Sequence, residues 1–219
     1  GSPVQPEQHM SRTWISLATA LVVLSFAALA LVENPVPVRA DVLASATGLQ
    51  WYKGNMHTHS HWSDGDDYLE SIAAWYQNHA YNFLVFTDHN VLSNSEKWVH
   101  VEKTKGGRAA FDKLKSQFPD WVESRGEGAD QEVRLRRYDE VADRFNKKGE
   151  FLLIQGEEIS DNHHKHPIHM NVTNLLELIQ PRGGGSVRET IQNNVDAAQA
   201  QRDRTGQPMI IHLNHPNFG

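Results

Sequence analysis

The chain has 219 residues, with 27 acidic and 21 basic side chains, a formal net charge of −6 and no cysteine. That length is enough for one sizeable domain with a buried core. The acidic balance supplies no basic patch of the kind that holds nucleic acid, so no stable nucleic-acid binding is expected. The lack of cysteine excludes both a disulfide framework and a thiolate metal site. Histidine is abundant, at 13. Any metal must therefore be held by imidazole and carboxylate, a ligand set that suits zinc, manganese or iron.

Residues 1–40 read as a targeting segment. Met10 reads as the natural start, with residues 1–9 a vector remnant or upstream translation. Arg12 precedes an uncharged apolar run from Trp14 to Val32, and Val38-Arg39-Ala40 places small residues at −3 and −1 of a signal-peptidase site. The run is also near the ~18 residues that span a bilayer. Two expectations follow: a cleaved signal that exports the protein to the periplasm or cell exterior, or an uncleaved segment that anchors it to the membrane.

Residues 41–219 form the folded domain, opening with a short linker. Trp51–Met56 reads as a strand that ends at His57-Thr58-His59. Tyr68–His79 reads as a helix, with Leu69, Ile72, Ala73 and Tyr76 at helical spacing on one face. Phe83–Phe86 is a continuous apolar run, the mark of a buried parallel strand, and it ends at Thr87-Asp88-His89. Residues 91–150 carry both signs of charge and read as a solvated helical insertion, with helices at Phe111–Phe118 and Gln131–Asn146. Phe151–Ile154 is the next strand, ending at Gly156-Glu157-Glu158. Ile168–Thr173 is another, after a polar loop from Asp161 to Pro167. Ser186 and Glu189 form a capping box for a helix whose stripe is Val187, Ile191, Val195 and Ala198 and whose end is Gly206. Met209–Ile211 is a last strand, running into His212-Leu213-Asn214-His215-Pro216.

Strand alternating with helix predicts an α/β fold on a parallel sheet. Residues of metal-ligand type follow the C-terminal ends of successive strands, where α/β barrels assemble their active sites. His57 and His59, two apart on a strand end, share a face and can grip one ion. Asp64 follows in a turn able to fold back over them. A carboxylate such as Glu158 between imidazoles can bridge two cations, which together clamp an oxyanion and acidify water. In a strand over residues 151–159, Glu157 and Glu158 point to opposite faces, so only one can enter the site.

His-Thr-His with Ser-Asp-Gly, then Thr-Asp-His-Asn, Gly-Glu-Glu-Ile-Ser and His-Pro, resembles the polymerase and histidinol phosphatase (PHP) family over residues 51–219. The resemblance implies a distorted (β/α)7 TIM-like barrel with two or three divalent ions (zinc, manganese or iron). By position, His57 and His59 would bind the first metal and Glu158 would bridge the first and second. His169 and His215 would complete the second, and Asp64 and His89 would hold the third. Asp88 would be a structural residue or orient a histidine ligand, His61 would touch substrate or be solvated, and His212 would back the site or be structural. The family ends its site with Asp-x-His on a late strand. Five candidate strands stand here where seven are expected, so the barrel is expected to be incomplete at its C-terminal end. The implied activity is that of a phosphoesterase using a metal-activated hydroxide on a small phosphorylated substrate or nucleotide. A non-catalytic metal-binding module and a hydrolase of a non-phosphate substrate are the alternatives.

Overall fold

The computed structural model describes residues 48–216. The signal or anchor expected in residues 1–40 lies outside them, and the elements below all belong to the unit Tyr52–Gly219. No helix among the described residues is long and apolar enough to cross a membrane.

Each of the five expected strands is present, and together they make the main sheet. They are β1 (Gly54–Asn55), β2 (Phe83–Phe86), β6 (Leu152–His163), β7 (His166–Thr173) and β8 (Ile210–Leu213), hydrogen-bonded in that order. Pairing is parallel from β1 to β2 to β6 and antiparallel from β6 to β7 to β8. This overturns the (β/α)7 barrel. The sheet has two ends, β1 and β8, and four α-helices accompany it among the described residues where seven strand–helix units would be needed. The reason is local. The polar stretch from Asp161, expected as a loop, continues as strand to His163. It then reverses through His164-Lys165, with His164 at a left-handed φ of 54°. Parallel neighbours need a crossover of a dozen or more residues, and a two-residue turn can only join antiparallel ones.

Alternation along these strands gives the sheet two different faces. Leu84, Phe86, Leu153, Ile159, Met170 and Val172 point into helix-covered cores. On the other face, Phe83, Val85, Leu152, Ile154 and Ile210 line an apolar groove of about 750 Å³. Gly156 lies on that face too, and a Cβ there would come within 2.7 Å of Val85 and 2.8 Å of the Phe86 carbonyl. A side chain at this position would force β2 and β6 apart.

Helix α1 (Leu69–Asn78) buries Leu69 and Ala73 as its spacing predicts. Residues 91–150 depart furthest from expectation. They hold a small antiparallel sheet of β3 (Trp98–His100), β4 (Ser124–Arg125) and β5 (Glu132–Arg134), with helices α2 (Gly107–Gln117) and α3 (Tyr138–Phe145). The second helix was expected from Gln131; its first residues form β5 instead. The segment is packed rather than solvated, since Phe111, Leu114, Val133, Leu135, Val141 and Phe145 share one core with α1, β2 and β6. Its two buried arginines are paired within the segment. Buried Arg134 donates to Glu123 and Glu140 at 2.9 and 2.7 Å, and buried Arg136 donates to Glu140 at 3.0 Å. Desolvation would raise the Glu140 pKa, but the arginines and the Arg137 N–H outweigh it and hold it at about 2.

Helix α4 (Val187–Thr205) is capped as expected at Ser186, whose hydroxyl accepts from the Glu189 N–H. The Glu189 carboxylate accepts from Gly185 rather than closing the box on Ser186. Of the expected stripe, Ala198 is buried, Ile191 and Val195 are half-buried against the same core, and only Val187 is exposed; the helix's other buried residues are Thr190, Asn194 and Gln201. These polar residues face inward because they satisfy loop backbone. The Gln201 carbonyl oxygen accepts from Leu176 and Glu177 N–H groups, and Asn194 accepts from Arg182 and donates to Asp161.

Glu70 on α1 is 2% exposed, and one of its carboxylate oxygens has no hydrogen-bond partner. Burial raises its pKa from 4.5 to about 7, against the pull of its own N–H and of Arg136. Between those values the folded chain holds a proton that the unfolded chain releases, so stability falls as pH rises through this window. The shift corresponds to at most about 3 kcal/mol. Glu70→Gln is expected to keep that stability at pH 8 relative to pH 5 while the parent loses it. Urea unfolding of both proteins at the two pH values measures the difference; parallel pH profiles would refute it.

Candidate metal centre

The carboxylate of Glu158 is fully buried on the groove side of β6, beyond the apolar stretch. Five imidazoles surround it. His59 Nε2 lies 2.9 Å from Oε2, and His89 Nδ1 lies 3.0 Å from the same oxygen. His169 Nδ1 and His215 Nε2 are each 3.1 Å from Oε1, and His57 Nε2 is 3.9 Å away. Asp64 joins from the outside, with Oδ1 2.8 Å from His59 Nδ1 and 3.6 Å from His89 Nε2. All seven residues expected to bind metal are thus brought together. Their ligand atoms fall into three overlapping groups, each within 4.8 Å: His57–Glu158–His215, His59–Asp64–His89 and His89–Glu158–His169.

Each residue is placed by its element. Glu158 and His169 share a face of the β6–β7 hairpin, where Ser160 pairs with His169. His89 sits just past β2, bridged in parallel register to Glu158. Asn90, at a left-handed φ of 48°, ties the two segments together. Its side chain accepts from Ser160 N–H at 2.8 Å and donates to Ser160 C=O at 3.1 Å. The turn carrying Asp64 folds tightly over His59, so that a Cβ on Gly65 would lie 2.5 Å from the His59 carbonyl.

Imidazole orientation is set by hydroxyls. Thr87 Oγ1 is 2.8 Å from His57 Nδ1, accepts from Thr58 N–H and turns its own O–H toward the Thr58 carbonyl at 3.5 Å, so the His57 Nδ1–H donates to it and the Nε2 lone pair faces Glu158. Ser160 Oγ abuts His89 Nδ1. Burial lowers the pKa of His57 and His89 despite the nearby Glu158 charge, which favours the neutral, ligating form. At His59 burial is outweighed by Glu158 and Asp64, and the pKa is raised. Desolvation would raise the Glu158 pKa as well. Contacts from His59 and Asn214 and the charges of His89 and His57 hold it at about 2.

The three residues expected around the ligands have different surroundings. Asp88 is buried and touches no imidazole directly, although the Ser63 hydroxyl it holds lies 3.4 Å from His59 Nδ1. It accepts from Ser60 N–H (2.8 Å) and Oγ (2.7 Å) and from Ser63 N–H (3.1 Å) and Oγ (2.6 Å), fastening the loop between His59 and Asp64. His61 is buried against the Tyr68 ring, with Nδ1 3.0 Å from Gly65 O, and burial lowers its pKa. His212 lies on β8 opposite Asn171. Sequence reasoning did not single out Thr87, Asn90, Ser160 or Asn214. All four stand one or two residues from a predicted ligand within the motifs, and that proximity was the available signal. Glu157 points to the opposite face, as alternation requires, and accepts from Ile179 N–H at 2.9 Å.

The residues fit a cation. Glu158 Oε2 and His169 Nδ1 are buried without a hydrogen bond, although nitrogens or oxygens lie about 3 Å from each. Close donors that are off the hydrogen-bond line are what atoms aimed at a shared ion look like. The imidazole–carboxylate set suits zinc, manganese or iron.

Asp88→Ala strands four donors at the loop and is expected to cost about 3 kcal/mol, since buried groups left unpaired cost about 1–3 kcal/mol each and some regain water. Urea unfolding reads the loss directly; a cost below about 1 kcal/mol would show that the loop does not depend on this carboxylate. No family model and no curated protein matches the chain.

Proposed function

We propose that the chain is a metal-dependent phosphoesterase of the PHP type, acting on a small phosphorylated substrate or nucleotide with two or three divalent cations. The observation that supports this reading is the single buried carboxylate of Glu158 ringed by His57, His59, His89, His169 and His215, with Asp64 completing one of three ligand groups. Divalent cations bound there supply Lewis acidity, which activates water and neutralises charge on a phosphoryl group. The protein's part is positioning. Thr87 holds the Nε2 lone pair of His57 toward Glu158, Asn90 fixes Ser160 beside His89, and Asp88 fastens the loop between His59 and Asp64. Two carboxylates against two or three divalent cations leave the site net positive, which attracts a phosphate dianion. Neutral imidazoles supply the remaining ligands without cancelling that charge.

The test is phosphate release from a panel of mono- and diesters by the metal-loaded protein. Release is expected for the parent, and Glu158→Gln should reduce it by at least about 100-fold, because the variant loses the cluster's one buried negative charge, which would hold the cations. Metal binding with no release from any ester would favour the non-catalytic module, and no metal binding would end the metal-centre reading itself.

A further inference from the structure

Asn214 immediately precedes His215, and its side chain enters the same cluster. Its backbone N–H donates to the His169 carbonyl at 2.8 Å. Its Nδ2 lies 2.8 Å from Glu158 Oε1, 3.0 Å from His57 Nε2 and 3.1 Å from Asn171 Oδ1. An amide nitrogen carries two hydrogens, so three acceptors compete for them. Glu158 Oε1 is ionised and only accepts, and the His57 Nε2 lone pair faces the amide because Nδ1–H is committed to Thr87. Both facts require nitrogen, not oxygen, on this side of the amide.

We propose that Asn214 is a positioning residue that competes with the cation, its amide hydrogens and a divalent ion being alternative partners for the same lone pairs on His57 Nε2 and Glu158 Oε1. The inference rests on the metal-centre reading above. His57 Nε2 and Glu158 Oε1 are 3.9 Å apart and belong with His215 to one ligand group. A cation taking both must dislodge the N–H donors, which carry partial positive charge. Turning the amide over to offer Oδ1 as a ligand is opposed by Asn171. Its own Oδ1 would then face another oxygen, and it is fully buried with its Nδ2 donating to the Met56 carbonyl at 3.3 Å. Asn214 therefore keeps the buried charge of Glu158 satisfied and the ligands in place before a cation binds, at the expense of affinity once it does.

Zinc affinity by competition with a chromophoric chelator, and thermal midpoints in EDTA and in saturating zinc, test the idea on the parent and on Asn214→Ala. The variant is expected to bind zinc about tenfold more tightly, equivalent to about 1.4 kcal/mol. Its midpoint should fall in EDTA and match the parent in zinc, because only the metal-free protein loses a partner. A tenfold loss of affinity would make Asn214 a ligand and overturn the proposal. Equal falls in both midpoints would make it purely structural and overturn it as well. Should Asn214→Ala not fold in EDTA, Asn214→Ser decides, its hydroxyl being too short to reach both acceptors. Zinc should raise its midpoint by more than it raises the parent's, and an equal or smaller rise overturns the inference. A parent that fails to bind zinc defeats this inference together with the metal-centre reading. A parent that binds, with variants that miss these expectations, defeats this inference alone.

Discussion

A carboxylate buried without compensation would be driven neutral, because desolvation of a charge costs more than a folded chain can spare. Glu158 stays ionised because His59 and Asn214 contact its carboxylate, at 2.9 and 2.8 Å, and His89 and His57 stand close by. The rest of the site is arranged around that requirement. β6 carries the carboxylate, β7 brings His169 and β8 leads to Asn214 and His215. The segments after β1 and β2 bring the remaining imidazoles. Glu157, one residue earlier, shows the contrast. It has a single backbone donor at Ile179, and burial pushes its pKa up to about 7.

One face of the sheet therefore does two jobs. Along Phe83, Val85, Leu152 and Ile154 it is apolar, and further along the same parity of β6 it becomes the ligand cluster. The change of character along one strand face follows from alternation alone, since residues 152, 154 and 158 of β6 project the same way. The opposite face is covered by α1, α4 and the segment from 91 to 150, and this anchors the strands that carry the ligands. That segment earns its place in the core through Phe111, Leu114, Val133 and Val141, while Glu140 and Glu123 neutralise the two arginines it buries. Its many charges disguise a packed element, because in a linear sequence paired and solvated charges look alike.

Much of this was legible in the chain itself. Period-two and period-3.6 patterns located all five strands of the main sheet and helix α1, and the motifs that resemble the PHP family marked all seven members of the cluster. Alternation left room for only one of Glu157 and Glu158 in the site, and the resemblance to the family's motif selected Glu158. Less legible were the residues acting through backbone groups. Gln201 and Asn194 face inward on α4 because loop N–H groups near residues 176–182 need acceptors, a demand that arises only once the loop is docked. That Asp88 holds two serines, the structural one of the roles expected for it, was decided in the same way.

The sequence by itself determined which residues could bind a cation and which segments would form the main sheet, because both depend on side-chain chemistry and local periodicity. Strand direction and closure were decided only in three dimensions. Four residues of extended chain beyond Ile159 and a reversal at His164-Lys165 turned an expected parallel barrel into a mixed, open sheet. Extended backbone looks the same whichever way its partner runs, and only hydrogen bonding between distant segments distinguishes the two.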